Sequence, residues 1–490
     1  MAGLRNGLTT TLMIMTVATQ VACCIDMPTA EGNDSLPSIK RSRFLVLDSR
    51  IIDYVQNAKL ALGEVKKHPA NPLFGEDKPW EKRFDNLYAN VIFDNKAGIY
   101  KCWYSPFIAD NSALGMTLEE RKQKRYRAPD NREMAICYAT SKDGIVWDKP
   151  ELGIVEYAGS KVNNIVWRGR NKGGEHWNGP HGSGIFKDLR DPDPQRRYKA
   201  FLKAEILSVA FSPDGIHWGP AITCPEADSA GDTHNNAFWA RTLGKYVGIT
   251  REWGETFGRQ VARTFSKDFI NWSQSEVVLE GLDKRYQTYA MPVFYHGGVY
   301  LGLVAIHDQE GDRVWTELTW SPDTVTWKRV CPGTPLIANS KEEMAYDWGC
   351  VYAGACPVFQ EDEIRIYYGG SDGYHSGWRN GFFCMATLRP DGFAGYAPIS
   401  EDKPAVITTK PVTCQGERLC ITADIQNKGS LSVSMIDDQG HEIAVSKPFS
   451  QTVTDGKVKW TRNRKLSSGK DTRLRFLLNK AKLYSFSFTD

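Results

Sequence analysis

The sequence predicts an all-β protein: a five-bladed β-propeller followed by a C-terminal antiparallel β-sandwich. The first observation is a phrase, Ser-x-Asp-x-x-x-Trp, that begins at Ser141, Ser212, Ser266 and Ser321. The second is a pair of alternating strands ahead of each copy, and the third is a change of pattern after residue 396. Repetition of one supersecondary unit at such intervals is typical of propellers.

Each copy of the phrase lies where a turn should follow a strand. The aspartate can accept hydrogen bonds from amides of its own turn, and the glycine that follows it in two copies tolerates positive φ. A fifth, degenerate copy has a tyrosine, Tyr396, in place of the tryptophan. Equivalent turns in five blades are therefore expected at Asp143, Asp214, Asp268, Asp323 and Asp391.

Domain boundaries follow from the extent of these patterns. Residues 51–68 are expected to carry a short helix ahead of the first blade. After the last blade, three prolines mark a linker, and alternating strands then continue to the C-terminus. The predicted units are a signal peptide over residues 1–24, the propeller over 40–396, the linker over 397–411 and the sandwich over 412–490.

The N-terminus is typical of an exported protein. A positive charge at Arg5 precedes an apolar stretch and then small residues, which is the layout of a secretory signal peptide. Cys23 leaves a lipoprotein signal open as an alternative. The apolar stretch is short for a bilayer span, so no transmembrane segment is expected. The predicted location is periplasmic, extracellular or, for a lipoprotein, the outer membrane.

Composition argues against several classes of partner. The 490 residues include 61 Lys and Arg against 58 Asp and Glu, and no basic run is present, which argues against nucleic acid as a partner. Eleven cysteines show no Cys-x-x-Cys spacing, so no zinc or redox site is predicted. We expect no cofactor and no metal in the site, and a structural calcium ion stays open. The sequence does not indicate the oligomeric state.

Polar residues precede the innermost strand of each predicted blade, where they should face the mouth of a central funnel. Such a concavity suits a polyhydroxylated ligand. Cleaving a glycosidic bond requires one carboxylic acid and one carboxylate. The candidate catalytic residues are Asp85, Asp232, Glu252 and Asp347. The candidate substrate-binding residues are Asn86, Asn178, His181, His234, Asn235, Arg251, Tyr289, His307, Tyr352 and His375.

The five-bladed plan, the segment NPLFGEDKPWE at residues 71–81 and the trailing sandwich resemble glycoside hydrolases of family 32 and the related family 43. More closely, the chain resembles exported family 32-like proteins of polysaccharide-degrading bacteria. This resemblance implies a carbohydrate substrate and a position-matched base or nucleophile at Asp85. Asp232 and Glu252 are then predicted as transition-state stabiliser and acid. The Asn-Asp-Pro, Arg-Asp-Pro and Glu-Cys signatures of family 32 are not found in the corresponding places, so fructoside hydrolysis is not implied.

An exported glycoside hydrolase is the favoured function, and two alternatives stay open. A glycan phosphorylase could bind phosphate through Arg251, Arg259 and Arg285, although an export signal argues against a phosphate-consuming enzyme. A non-catalytic glycan-binding propeller predicts stacking tryptophans and amides at the mouth without a close pair of carboxylates.

Overall fold

The computed structural model describes residues 43–169, 179–400, 402–462 and 466–490, and most of their regular structure is β-strand. The helices of these ranges are the α-helix Leu118–Gln123 and two single turns of 3-10 helix, Pro194–Arg196 and Pro225–Ala227. In the described ranges, no helix has the length and apolar character needed to cross a membrane. The predicted signal peptide lies outside the described residues.

Five antiparallel sheet units follow one another along the chain and form a five-bladed β-propeller. Blade one contains Asn90–Asp94, Ile99–Tyr104, Glu133–Ser141 and Ile165–Arg168, with Phe107–Ala109 beside its third strand. Blade two contains His181–Lys187, Tyr198–Lys203, Leu207–Ser212 and Ile222–Thr223. Blade three contains Asn236–Ala240, Lys245–Gly254, Gly258–Ser266 and Glu276–Leu279.

The last two blades have inner strands in two pieces. Blade four contains Tyr286–Thr288, Val293–His296, Val299–Asp308, Arg313–Ser321 and Lys328–Val330. Blade five contains Cys350–Ala353, Val358–Phe359, Ile364–Ser371 and Gly381–Leu388, and its outer strand comes from the chain ahead of blade one, at Lys66–Lys67 and Phe74–Gly75. Both outer pieces pair antiparallel with Gly381–Leu388, which joins the two ends of the propeller.

Inner-strand residues tie neighbouring blades together around the centre. Asn90 donates to the carbonyl of Ser183 at 2.8 Å and accepts from the amide of Ile185 at 2.8 Å, which joins blades one and two. Asn236 accepts from the amide of Val293 at 3.0 Å, which joins blades three and four. The amide of Ala355 donates to the carbonyl of Ala89 at 2.9 Å and joins blade five to blade one. These buried amides therefore have an architectural role.

The repeated turns of blades one to four share one hydrogen-bond pattern at the end of each third strand. In blade two, Oδ1 of Asp214 accepts from the amides of Ile216 and His217, both at 2.8 Å, and from the hydroxyl of Ser212 at 3.1 Å. Asp143, Asp268 and Asp323 make the same bonds. Asp391 follows the third strand of blade five but bonds instead to His296, Arg43 and Ser485.

Outside the propeller, strands from both ends of the described chain form one further antiparallel sheet, which is called the C-terminal sheet here. Its strands are Arg43–Leu45, Ile52–Gln56, Ala58–Leu62, Ala394–Pro398, Ala405–Thr409, Val412–Thr413, Arg418–Ile436, Glu442–Val445, Val453–Lys457 and Asp471–Thr489. The two 19-residue strands pair along most of their length, with a shift between Ile425 and Ser430. Both halves of these strands pack into one apolar core, as in a sandwich.

The C-terminal sheet differs from the predicted boundaries in three places. Residues 43–62 pair with it and not with a blade, so the propeller strands begin at Lys66, not near residue 40. The helix expected within residues 51–68 is two strands, because pairing with residues 394–398 and 406–409 outweighs local preference. The predicted linker contains the strand Ala405–Thr409.

Candidate functional site

A cavity of about 240 Å³ lies where the inner strands of the propeller begin. Residues from or beside all five blades line it: Arg83, Asp85, Phe107, Tyr126, Arg132, His181, Asp232, Arg259, Tyr289, His375 and Ser376. Five of these were predicted from the sequence, namely Asp85, His181, Asp232, Tyr289 and His375. The cavity therefore brings together two of the four candidate catalytic carboxylates.

Asp85 reaches the cavity from an unusual stretch of backbone ahead of blade one. Asp85, Leu87 and Tyr88 have φ angles of 21°, 63° and 47°, in the left-handed region that non-glycine residues rarely occupy. Such conformations persist where surrounding contacts impose them, and they cluster at functional sites. Here the buried side chains of Phe84, Leu87 and Tyr88 anchor the stretch and leave Asp85 at the cavity.

Three arginines surround the carboxylate of Asp85. Its Oδ1 lies 2.6 Å from Nη2 of Arg379, 3.4 Å from Nε of Arg83 and 3.8 Å from Nη2 of Arg132. Burial alone would raise the pKa of Asp85, but Arg379, Arg132 and Arg83 together hold that pKa well below its usual range. All three ion pairs fall on Oδ1, so Oδ2 is the oxygen that a ligand in the cavity can approach.

Asp232 is held by one histidine and one arginine. Nε2 of His181 lies 2.8 Å from Oδ1, and Nη2 of Arg251 donates to Oδ2. Burial opposes ionisation, but His181 and Arg251 outweigh it and lower the pKa of Asp232 well below its usual range. Both cavity carboxylates are therefore ionised at neutral pH.

Two imidazoles lie beside these carboxylates. Burial lowers the pKa of His181 and of His375, so both are neutral at pH 7. Nδ1 of His375 lies 2.7 Å from the hydroxyl of Tyr352 and 3.3 Å from Nη1 of Arg379. Because a guanidinium can only donate, Nδ1 accepts, and the proton of His375 is on Nε2.

Two predicted catalytic carboxylates lie elsewhere. Glu252 points away from Arg251 because successive side chains of a strand alternate, and it accepts from the hydroxyl of Ser275 at 2.7 Å. Asp347 is fully buried, 2.6 Å from Nζ of Lys67 and 2.9 Å from the hydroxyl of Tyr368. Lys67 belongs to the outer strand that closes blade five, so Asp347 stabilises that closure. The placement of both residues at the funnel was wrong.

Several predicted binding residues lie behind the lining. Nδ2 of Asn86 donates to the hydroxyl of Tyr289 at 3.1 Å, and Oδ1 of Asn86 accepts from Arg379 at 3.2 Å. Arg251 and Tyr352 are buried behind Asp232 and His375 in the same way, and His307 bonds to Asp312 at 3.1 Å. These residues position the lining and are not part of it.

Two further candidates are buried in the centre of the propeller. Asn235 donates to the carbonyl of Gly231 at 2.9 Å and accepts from the hydroxyl of Thr250 at 2.7 Å. His234 is buried, with Nε2 3.4 Å from Oδ1 of Asn90. Both are therefore engaged within the fold. Asn178 lies outside the described residues.

Arg132 and Arg379 were not predicted, and Arg259 was named only as a phosphate ligand of the alternative phosphorylase. Strand direction explains how all three could be found at this site. The first and third strands of a blade run in the same direction, so both begin at the cavity end. Only positions before first strands and after second strands were considered. Arg132 precedes the third strand of blade one, Arg259 is the second residue of the third strand of blade three, and Arg379 is two residues ahead of the third strand of blade five.

Among the described residues, no group of three or more His, Cys, Asp or Glu side chains could hold a metal ion. The site that the structure describes is therefore built from carboxylates, guanidiniums, imidazoles and aromatic rings.

No protein-family model matches the chain, and no curated protein matches it either. The resemblance to family 32 therefore stays a prediction. Similar solved structures do exist. A glycosyl hydrolase from Bacteroides ovatus is 15% identical with a TM-score of 0.45, and the match covers 69% of this chain and 98% of that chain.

Two other matches have comparable values. The β-1,2-mannobiose phosphorylase from Listeria innocua is 14% identical with a TM-score of 0.44, covering 66% of this chain and 97% of that one. The α-L-arabinofuranosidase from Podospora anserina is 12% identical with a TM-score of 0.42, covering 66% of this chain and 97% of that one. TM-scores below 0.5 assign no function.

Proposed function

We propose that this protein is a glycoside hydrolase whose substrate binds in the cavity at the mouth of the propeller. The observation that carries the proposal is the meeting of Asp85 and Asp232, from different blades, in one cavity where both are ionised. The rings of Phe107, Tyr126 and Tyr289 also line this cavity and give it apolar surface.

The two carboxylates suit the positive charge that develops at the anomeric carbon. An ionised carboxylate can attack that carbon, accept a proton from an attacking water or stabilise the oxocarbenium-like transition state. Oδ2 of Asp85 has no partner among the described residues and is the better candidate for nucleophile or base. Asp232, fixed through both oxygens, is better suited to electrostatic stabilisation.

Protonation of the leaving oxygen requires a different group. Three arginines lower the pKa of Asp85, and His181 and Arg251 lower that of Asp232, so neither carboxyl group holds a proton near neutral pH. His181 and His375 line the same cavity, and each takes up a proton as the pH falls below the ordinary range of histidine, because burial lowers both pKa values. We assign the acid role to one of these two imidazoles.

The two alternatives are less well supported. A purely glycan-binding propeller gains nothing from two ionised carboxylates at its mouth, since they must be desolvated when a neutral sugar binds. A phosphorylase could bind phosphate through the arginines of this cavity, but the export signal predicted from the sequence argues against a phosphate-consuming enzyme.

The proposal is tested with purified full-length protein on a panel of polysaccharides and aryl glycosides, with release of reducing sugar as the readout. Asp85→Asn and Asp232→Asn should each lower turnover by about 100-fold or more, because each removes a charge that stabilises the transition state. Glu252→Gln is the matched control and should retain turnover. Full activity in both aspartate variants would contradict the proposal, as would loss of activity in Glu252→Gln alone.

A further inference from the structure

The cavity holds more guanidinium than carboxylate charge. Five arginines line it or lie directly behind it: Arg83, Arg132, Arg251, Arg259 and Arg379. The carboxylates that form ion pairs with these arginines are Asp85, Asp110 and Asp232. Asp312, the next carboxylate, bonds to His307 and Ser376. Five guanidiniums against three carboxylates give this group of described residues an excess of two positive charges.

Arg259 is the lining arginine that lacks a carboxylate partner. Within the described chain it forms no ion pair; its Nη1 donates to Oε1 of Gln287 at 3.1 Å. Its guanidinium lies 4.8 Å from the ring centroid of Trp253 and 5.3 Å from that of Tyr289. The buried Nε of Arg259 finds no hydrogen-bond acceptor in the part of the chain that the structure describes. Arg259 thus places at the cavity a guanidinium charge that no carboxylate of the described residues compensates, and a bound anion can compensate it.

Arg83 offers a second unused donor to the same cavity. Its side chain is 2% exposed, and its Nη1 has no acceptor among the described residues, while Nη2 donates to the carbonyl of Gly377 at 3.0 Å. The ring of Tyr126 lies 4.1 Å from this guanidinium and fixes its plane. Buried polar groups are rarely left unpaired without a reason.

We infer that the glycan bound in this cavity carries an oxyanion, either the carboxylate of an acidic sugar or a sulfate ester, and that Arg259 binds it. The inference rests on the proposed function and specifies the substrate class of that site. A planar guanidinium matches either oxyanion with two parallel hydrogen bonds. Arg83 supplies a second cationic donor in the same cavity.

Trp253 indicates that the oxyanion is attached to a sugar. This indole is 55% exposed and lies on the same strand as Arg251, with the guanidinium of Arg251 5.1 Å and that of Arg259 4.8 Å from its ring. An exposed aromatic face beside a cation can stack on a sugar ring while the cation binds the charged substituent. Binding of a free inorganic anion would not require an aromatic face.

The test measures binding, not turnover, at physiological salt so that long-range attraction is screened. Full-length protein is assayed by affinity electrophoresis against matched polymers, polygalacturonate with its methyl ester and carrageenan with agarose. We expect at least one anionic polymer to bind about 10- to 100-fold more tightly than its neutral counterpart. Arg259→Gln should abolish this preference, whereas Arg259→Lys should retain part of it. Arg190→Gln removes an exposed charge outside the cavity and should have no effect.

Three results would overturn the inference. One is that neither anionic polymer binds more tightly than its neutral counterpart. Another is that Arg259→Gln and Arg190→Gln weaken the binding of the anionic polymer equally, which would mean that the net charge of the protein, and not a site at Arg259, causes the preference. The third is release of sugar 1-phosphate from a neutral glycan that requires inorganic phosphate and Arg259, since the oxyanion would then be a free co-substrate. Preferential binding of an anionic polymer without cleavage of any polymer would count against the proposed hydrolase and not against this inference. Cleavage of neutral glycans that Arg259→Gln leaves unchanged would count against the inference and not against the hydrolase.

Discussion

Two aspartates of this molecule have the same kinds of partner in different surroundings. Asp232 is bonded to His181 and Arg251, and Asp391 is bonded to His296 at 2.7 Å and to Arg43. Neighbouring cations lower the pKa of both carboxyl groups despite burial. The side chain of Asp232 is 38% exposed, however, whereas that of Asp391 is 3% exposed.

The surroundings of Asp391 show that it connects parts of the fold. Arg43 and Ser485 come from the C-terminal sheet and His296 from blade four, while Asp391 follows the third strand of blade five. Leu45 packs beside this cluster, against Phe294 and Phe393. The same Asp-His-Arg combination thus joins domains at one place and lines a cavity at the other. Exposure to a ligand, and not residue type, separates the two roles.

The largest expected effect is on stability at the buried cluster. Asp391→Ala should lower the free energy of unfolding by about 3–5 kcal/mol, because it leaves the charge of Arg43 buried without its main partner. Urea denaturation measures the change. Asp232→Asn should lower the same quantity by less, because the amide oxygen can still accept from the buried Arg251 and water reaches this side chain.

A stability loss in Asp391→Ala no larger than that in Asp232→Asn would break the comparison. Should Asp391→Ala not fold, the milder Asp391→Asn still decides the matter, because it too removes the charge. This variant should be less stable than wild type and, once folded, should retain the turnover of wild type.

The pH dependence of turnover is the second expected effect, and it concerns the cavity with Asp232 and not the buried cluster around Asp391. The proposed acid is an imidazole whose pKa is lowered by burial, so its protonated fraction rises as pH falls through and below the usual range of histidine. We expect kcat/KM to increase by up to about tenfold per pH unit from pH 8 downwards, until that lowered pKa is reached. The lowered pKa values of Asp85 and Asp232 keep both ionised there, so no decline is expected above the ordinary carboxyl range.

A pH–rate profile of the wild type checks this, with His181→Gln and His375→Gln identifying the imidazole. Activity that rises towards alkaline pH would rule out a histidine acid. A profile unchanged in both variants would do the same.

The local sequence pattern was sufficient to predict the five blades, but it did not predict which strand closes the ring between the last blade and the first. The Ser-x-Asp turns recur because blades one to four repeat one hydrogen-bond pattern, which a single sequence reveals. The pairing of Lys66–Lys67 with the last blade joins residues about 320 positions apart, and no local pattern encodes it. The same closure explains Asp347, which precedes an inner strand as predicted but is bound by Lys67.

At the site, strand geometry decided which predictions of position succeeded. Asp85 and Asp232 precede first strands and line the cavity. Arg251 and Glu252 are adjacent in one strand, so they cannot both face inward, and the alternation of that strand could have excluded Glu252. Arg132 and Arg379 were missed because they lie where third strands begin, whereas the predicted positions were the starts of first strands and the ends of second strands. The low pKa of Asp85 depends on these two arginines and on Arg83, whereas the neighbours that lower the pKa of Asp232, His181 and Arg251, were both predicted.

The smallest expected effect concerns the turns, and it separates an aspartate that shapes a loop from one that joins domains. Asp214 occupies in blade two the place that Asp391 occupies in blade five, but its partners are the amides of Ile216 and His217 and its side chain is 44% exposed. Water can replace a carboxylate at such a turn, so Asp214→Ala should lower the free energy of unfolding by only about 1 kcal/mol. Turnover should not change, because the turn ends a third strand whereas the cavity lies where third strands begin. Urea denaturation beside Asp391→Ala provides the measurement, and a loss of about 3 kcal/mol or more in Asp214→Ala would mean that the repeated turns, and not the buried cluster, dominate the stability of the propeller.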